Sequence, residues 1–120
     1  MGRRGKSTGE LLVDIVLWAE RTGRFVAGVS QADFAEDEMR QMAVAKCIEA
    51  IGEAAGNILK RDPLWAEAHP EIELAEAYRM RNRLSHGYDT IDTKVLWDTA
   101  NHSIPALSAS FRLIDLNRNG

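Results

Sequence analysis

An all-α fold, arranged as an up-and-down antiparallel four-helix bundle, is predicted by three features of this chain. Its apolar residues recur at helical spacing from end to end, and no stretch alternates with the two-residue period of a strand. Caps, prolines and glycines punctuate the periodic segments at Ser7, Ser30, Asp62-Pro63, His69-Pro70, Gly87 and Asp92. Its 120 residues suit one domain, since a single core of this kind typically takes about 100–150.

The elements follow in order. Ser7 and Glu10 have the spacing of a capping box, and Leu11, Leu12, Ile15, Trp18 and Ala19 continue on one helical face, with Gly23 as the expected stop. Residues 25–29 read as an apolar connector. Ser30 and Asp33 offer a second capping box leading into Phe34. A long helix is expected from Asp37 to Lys60, with Val44, Ile48, Ile51, Ala55, Ile58 and Leu59 as its apolar stripe. Gly52 and Gly56 thin one face of it for a close neighbour. Asp62 caps a short piece opened by Pro63, and His69-Pro70 must end it. A third main helix reads from Glu71 to His86, stopped by Gly87. Asp92 caps a fourth carrying Val95, Leu96 and Trp97, and Pro105 predicts a kinked or broken last helix before Ala106, Phe111, Leu113 and Ile114. The expectation is a single domain over residues 1–120, with residues 1–8 as a flexible basic tail.

Composition removes several classes of function. With 45% hydrophobic and 28% charged residues the chain is globular rather than disordered. No apolar run approaches the roughly 20 residues of a membrane span. A formal net charge of -3 argues against a protein that coats nucleic acid non-specifically. Cys47 is the only cysteine, so no intrachain disulfide forms, and its place between Val44 and Ile48 suits a buried, inert thiol. The charged N-terminus has no apolar segment behind it, which speaks against a signal peptide and for a soluble, cytoplasmic protein. Gly5-Lys6-Ser7 matches the end of a phosphate-binding loop, but no strand precedes it. His69, His86 and His102 lack partners at metal-ligand spacing, so no metal and no cofactor are expected.

One segment stands apart. Residues 79–88 carry Arg79, Arg81, Arg83 and His86 with no acid before Asp89, a local charge of +3 inside an acidic chain. Arginine grips phosphate oxygens with a planar fork, and histidine moves protons near neutral pH. Metal-free cleavage of a phosphodiester needs both: an anion stabiliser for the phosphorane and an acid or base for the 2′-hydroxyl or the leaving 5′-oxygen. Helical geometry complicates this. At about 100° per residue, Arg81 and His86 stand roughly 140° apart, so either the helix distorts near Gly87 or a second chain completes the site. On residue chemistry alone, a solvated arginine-rich helix end with a capping histidine accounts for the segment equally well.

Met80-Arg81-Asn82-Arg83-Leu84-Ser85-His86-Gly87-Tyr88, followed by Ile91-Asp92, resembles the signature of HEPN-domain proteins of the HepT type. These are the toxin partners of minimal nucleotidyltransferase antitoxins. The similarity continues through Ile51-Gly52-Glu53-Ala54-Ala55, His69-Pro70-Glu71-Ile72 and Ile104-Pro105-Ala106-Leu107, covering residues 10–115. The resemblance implies a helical bundle that forms a homodimer and acts as a metal-independent endoribonuclease. By that resemblance Arg81 holds the scissile phosphate and His86 does acid–base work, while Asn82 orients or binds the RNA. Arg79 and Arg83 add substrate-binding charge, and Glu53 supports an active-site arginine. Tyr88 matches the tyrosine that the antitoxin adenylylates to silence the toxin. Ser85 departs from the pattern, standing where an apolar residue is common.

A different class of function is a non-catalytic HEPN module that binds a nucleotidyltransferase partner or a nucleotide. It implies a stable complex without RNA turnover. A plain interaction bundle, whose arginine-rich helix end serves only dimerisation, is the third reading.

Overall fold

In a computed structural model, residues 5–85 and 92–119 are described, and among them every regular element is helical. Helix α1 spans Thr8–Val26. Both halves of its capping box form: Glu10 N donates to Ser7 Oγ at 3.1 Å, and Ser7 N donates to Glu10 Oε1 at 2.8 Å. The helix does not stop at Gly23 as the sequence suggests. Thr22 and Val26 are both buried, and burying Val26 in the core outweighs the roughly 1 kcal/mol that a helical glycine costs. The chain turns instead at Gly28, whose φ of 72° lies in the left-handed region open to glycine. Phe25 and Val26 therefore belong to α1 rather than to a connector.

A short α2 (Gln31–Ala35) follows, capped by Ser30 Oγ accepting from Asp33 N at 3.1 Å, and it inserts the fully buried Phe34. Helix α3 (Glu38–Arg61) starts where Asp37 accepts from Arg40 N at 3.1 Å. Two long-range bonds run α3 antiparallel to α1. Arg40 Nη1 donates to Phe25 O at 2.7 Å at one end, and Thr8 Oγ1 donates to Asp62 Oδ2 at 2.6 Å at the other. Asp62 also caps α4 (Pro63–Ala68), with Pro63 in the first turn.

Helix α5 (Leu74–Ser85) begins three residues later than Glu71. Ile72 and Leu74 are both buried, and residues two apart cannot face the same side of a helix, so a turn closed by Leu74 N donating to Ile72 O precedes it. Helix α6 (Thr93–Asp98) passes into a π-helical turn at Thr99–Ser103 and then α7 (Ile104–Asn119). Pro105 has no N–H to offer the Asn101 carbonyl, and the widened turn, in which Ile104 N donates to Thr99 O, absorbs that loss.

Four long pieces thus form the bundle: α1, α3, α5 and the α6–α7 unit. Leu11, Ile15, Ile51, Ile58, Leu107 and Phe111 fill one end of the core. Val26, Phe34, Val44, Ile48, Leu84 and Leu96 fill the other. Helix α3 serves both, and each such side chain contributes about 1.5–3 kcal/mol by leaving water. Cys47 is fully buried beside Thr22, and burial pushes its thiol up from the ordinary cysteine range. At the N-terminus Arg61 Nη1 donates to Lys6 O at 3.2 Å, and Lys6 Nζ pairs with Asp14 at 2.6 Å. No helix among the described residues is long and apolar enough to cross a membrane.

Candidate active site

The site begins with two glycines. Helix α5 runs antiparallel to α3, with Arg81 over Gly52 and Tyr78 over Gly56. A Cβ on Gly52 would stand 2.2 Å from Arg81 Cβ and 2.7 Å from the Ala77 carbonyl oxygen, while one on Gly56 would stand 2.5 Å from the Tyr78 ring. The close neighbour anticipated for this glycine face is α5, and the contact fixes where Arg81 leaves its helix.

From there the Arg81 side chain lies along α3. Its Nη2 pairs with Glu53 Oε2 at 2.8 Å, and its Nη1 donates to Asn82 Oδ1 at 3.1 Å. Nε is buried and has no hydrogen-bond partner among the described residues. The side chain keeps 31% of its surface exposed, and Glu53 keeps 57%. The pair is thus wet enough to add little stability, typically below about 1 kcal/mol, but it orients a planar cation. The sequence spacing separates Arg81 and Asn82 onto different stripes, yet the long arginine side chain bends back to its neighbour. Ser85 Oγ donates to Asn82 O at 2.9 Å, tightening the last turn of α5.

Arg81 opens into a groove of about 390 Å³ between α1 and α5, floored by α3. Trp18 on α1, Lys46, Glu53 and Asn57 on α3, and Lys6 before α1 also line it. Arg21 lies over the Trp18 ring at 4.5 Å. Sequence reasoning missed Trp18, Lys46, Asn57 and Lys6. Lys46, Glu49, Glu53 and Asn57 form a polar stripe at helical spacing on one face of α3, a signal that could have found Lys46 and Asn57. Nothing local could have placed Lys6 there.

The other predicted residues fall elsewhere. Arg79 is exposed and pairs with Glu76 on its own helix at 2.5 Å, and Arg83 is exposed. His86 and Tyr88 lie outside the described residues. His69 stacks on Trp65 at 4.1 Å with Nδ1 2.9 Å from Trp65 O, and His102 meets the edge of Trp97 at 6.1 Å. Both are held by aromatic packing. Among the described residues no three His, Cys, Asp or Glu side chains are grouped to hold a metal. A second cavity, about 260 Å³ between α5 and α7, is floored by Ile51, Met80 and Leu107 and rimmed by Glu71, Glu73 and Glu76.

Among the described residues the chain is an all-helical bundle with a carboxylate-held arginine at the edge of an open groove. The chain belongs to the HepT-like family of HEPN proteins, whose family model, described as Ribonuclease HepT-like, matches residues 18–114. It is 37% identical over 106 residues, 88% of this chain and 94% of the relative, to the protein of Thermococcus cleftensis named Probable ribonuclease HepT. A protein of Methanocaldococcus jannaschii named as an RNase is 31% identical over 103 residues, 86% of this chain and 83% of its own length. Another so named, from Caldanaerobacter subterraneus, is 32% identical over 89 residues, 74% of this chain and 77% of its own. No solved structure matches the chain significantly.

Proposed function

We propose that this protein is a metal-independent endoribonuclease acting as the toxin of a toxin–antitoxin pair. The observation that carries the reading is the placement of Arg81, held by Glu53 at 2.8 Å over Gly52 with its guanidinium at the groove, in a chain of the HepT-like family. Ribonuclease names on relatives that match most of this chain support RNA as the substrate.

Arg81 binds the non-bridging oxygens of the scissile phosphate and balances the charge of the phosphorane. The 2′-oxygen bonds to phosphorus as its proton passes to a base, and the phosphorus–5′-oxygen bond breaks as an acid returns a proton to the leaving oxygen. His86 fills one of these proton-transfer roles. Because Arg81 and His86 stand roughly 140° apart on an ideal helix, a homodimer that faces two such segments brings both groups into one cleft. Asn82, already bonded to Arg81, keeps the fork in plane. A nucleotidyltransferase antitoxin neutralises the toxin by adenylylating Tyr88, which places bulk and a negative phosphate where RNA must enter. The setting is the cytoplasm.

The test is cleavage of RNA by the purified protein in excess chelator. His86→Ala should abolish it and Arg81→Ala should lower it by about 10²–10³, while the circular dichroism of both stays helical. Cleavage that survives His86→Ala, or that requires added Mg²⁺, overturns the mechanism.

A further inference from the structure

The charges of this acidic chain are unevenly placed. Glu71, Glu73 and Glu76 gather at the cavity between α5 and α7, on the far side of α5 from Arg81. The opposite trend appears at the end of the α3 groove, where α1 begins and α3 ends. Lys6 lines the same groove as Arg81. Arg61 reaches across to Lys6 O at 3.2 Å, which brings the start of the chain and the end of α3 together. Lys60 extends over the Tyr78 ring at 5.7 Å, one turn of α5 from Arg81. Lys60 and Arg61 are both exposed. The acids nearby are each engaged: Asp14 takes Lys6, Glu49 takes Lys46, Glu53 takes Arg81, Glu10 accepts from Ser7 N and Asp62 accepts the Thr8 hydroxyl. That leaves Lys60 and Arg61 in no ion pair among the described residues.

Glu53 and Asn57 line the groove, and the exposed Lys60 and Arg61 follow on the next turn of α3, beyond its lining. From Glu53 to Arg61 the rise is about 12 Å, at about 1.5 Å per residue. A strand whose phosphate sits on Arg81 therefore meets further cations in one direction along the groove, with the Tyr78 ring beside them. A row of cations with an aromatic face is how proteins hold single-stranded nucleic acid without reading its sequence.

We propose that Lys6, Lys60 and Arg61 form an RNA-backbone subsite that continues from Arg81 along α3 and holds the phosphates flanking the cut. The proposal rests on the ribonuclease reading for its ligand, single-stranded RNA, and assigns residues outside the 79–88 segment to it.

The test is the salt dependence of binding, followed by fluorescence anisotropy with a 2′-O-methyl oligoribonucleotide that cannot be cleaved through its 2′-oxygen. Each phosphate contact on a single strand contributes about 0.7 to the slope of log K against log salt. The K60Q/R61Q double variant of the full chain should lose about 1.4 from that slope by the same rule. Lys94→Gln, which removes one charge on distant α6, should lose none, whereas either single change, Lys60→Gln or Arg61→Gln, should lose about 0.7. Arg61→Lys keeps the charge but not the fork to Lys6 O, and it should retain the slope. The subsite is overturned if the intact protein does not bind the oligonucleotide at low salt, if K60Q/R61Q leaves the slope where Lys94→Gln does, or if Arg61→Lys lowers it as much as the double variant. Cleavage by the intact protein with an unchanged slope would remove the subsite and leave the ribonuclease reading standing. The expected slope loss in a protein that never cleaves RNA would do the reverse.

Discussion

Gly52 lies directly beneath Arg81, so close that a methyl group at Gly52 would stand 2.2 Å from Arg81 Cβ. The same methyl would press at 2.7 Å on the Ala77 carbonyl oxygen, which is backbone and cannot rotate away.

Gly52→Ala should therefore destabilise the bundle despite the better helix propensity of alanine. Propensity gains about 1 kcal/mol, while overpacking of this kind costs about 1–3 kcal/mol. Gly56→Ala meets only the Tyr78 ring, which can shift, and should cost less. Urea denaturation of the two variants measures the order; equal midpoints would mean that α5 is free to slide on α3.

Glu53→Gln should barely change stability, because the Glu53–Arg81 pair is largely in water. Its effect should fall on RNA cleavage, with kcat lowered severalfold and KM little moved, as Arg81 loses its orientation. Unchanged kcat would assign Glu53 no positioning role.

The three arginines should not be equivalent. Arg81→Ala removes the cation held at the groove and should lower cleavage by about 10²–10³, the usual cost of a lost transition-state anion donor. Arg81→Lys should restore little, since an ammonium cannot form the planar fork. Arg79, tied to Glu76 on the exposed side of α5, should tolerate alanine with only a modest loss.

Asp62 does two tasks, capping α4 through Trp65 N at 3.3 Å and accepting the Thr8 hydroxyl at 2.6 Å. Asp62→Ala should cost about 2 kcal/mol, near the upper end for a lost N-cap. Thr8→Val, which removes only the second bond, should cost less. Thermal melts of the pair separate the two contributions.

Cys47 predicts a pH dependence. Burial raises its thiol above the unfolded value, so the folded chain keeps that proton to higher pH than the unfolded one. The stability linked to it is complete below the unfolded cysteine value of about 8.5 and declines as pH rises through the folded value. Cys47→Ala should flatten that decline in denaturation measured across alkaline pH. In the intact protein the thiol should react with Ellman's reagent only as the chain unfolds.

The starts of α1, α3, α4 and α6 were legible from the sequence because caps are local: Ser7, Asp37, Asp62 and Asp92 each bond a backbone N–H two or three residues ahead, whereas the start of α5 was not. The Gly52–Gly56 face was legible for the same reason, as spacing within one helix, while the Arg81–Asn82 motif was read from its resemblance to a known family. The end of α1 was not. Gly23 is a good stop by itself, and only the pocket that buries Val26 carries the helix past it.

What the sequence by itself determined is an all-helical chain, its division into helices and the segment where an arginine and a histidine could act on phosphate. Tertiary structure decided which acid holds Arg81, since Glu53 is 28 residues away and meets it only when α3 and α5 pack in one rotational register. It also decided that the groove collects Lys6 and Asn57 around that arginine. Register between helices is set by the summed fit of many apolar side chains with two glycines at the crossing, a quantity no window of sequence contains.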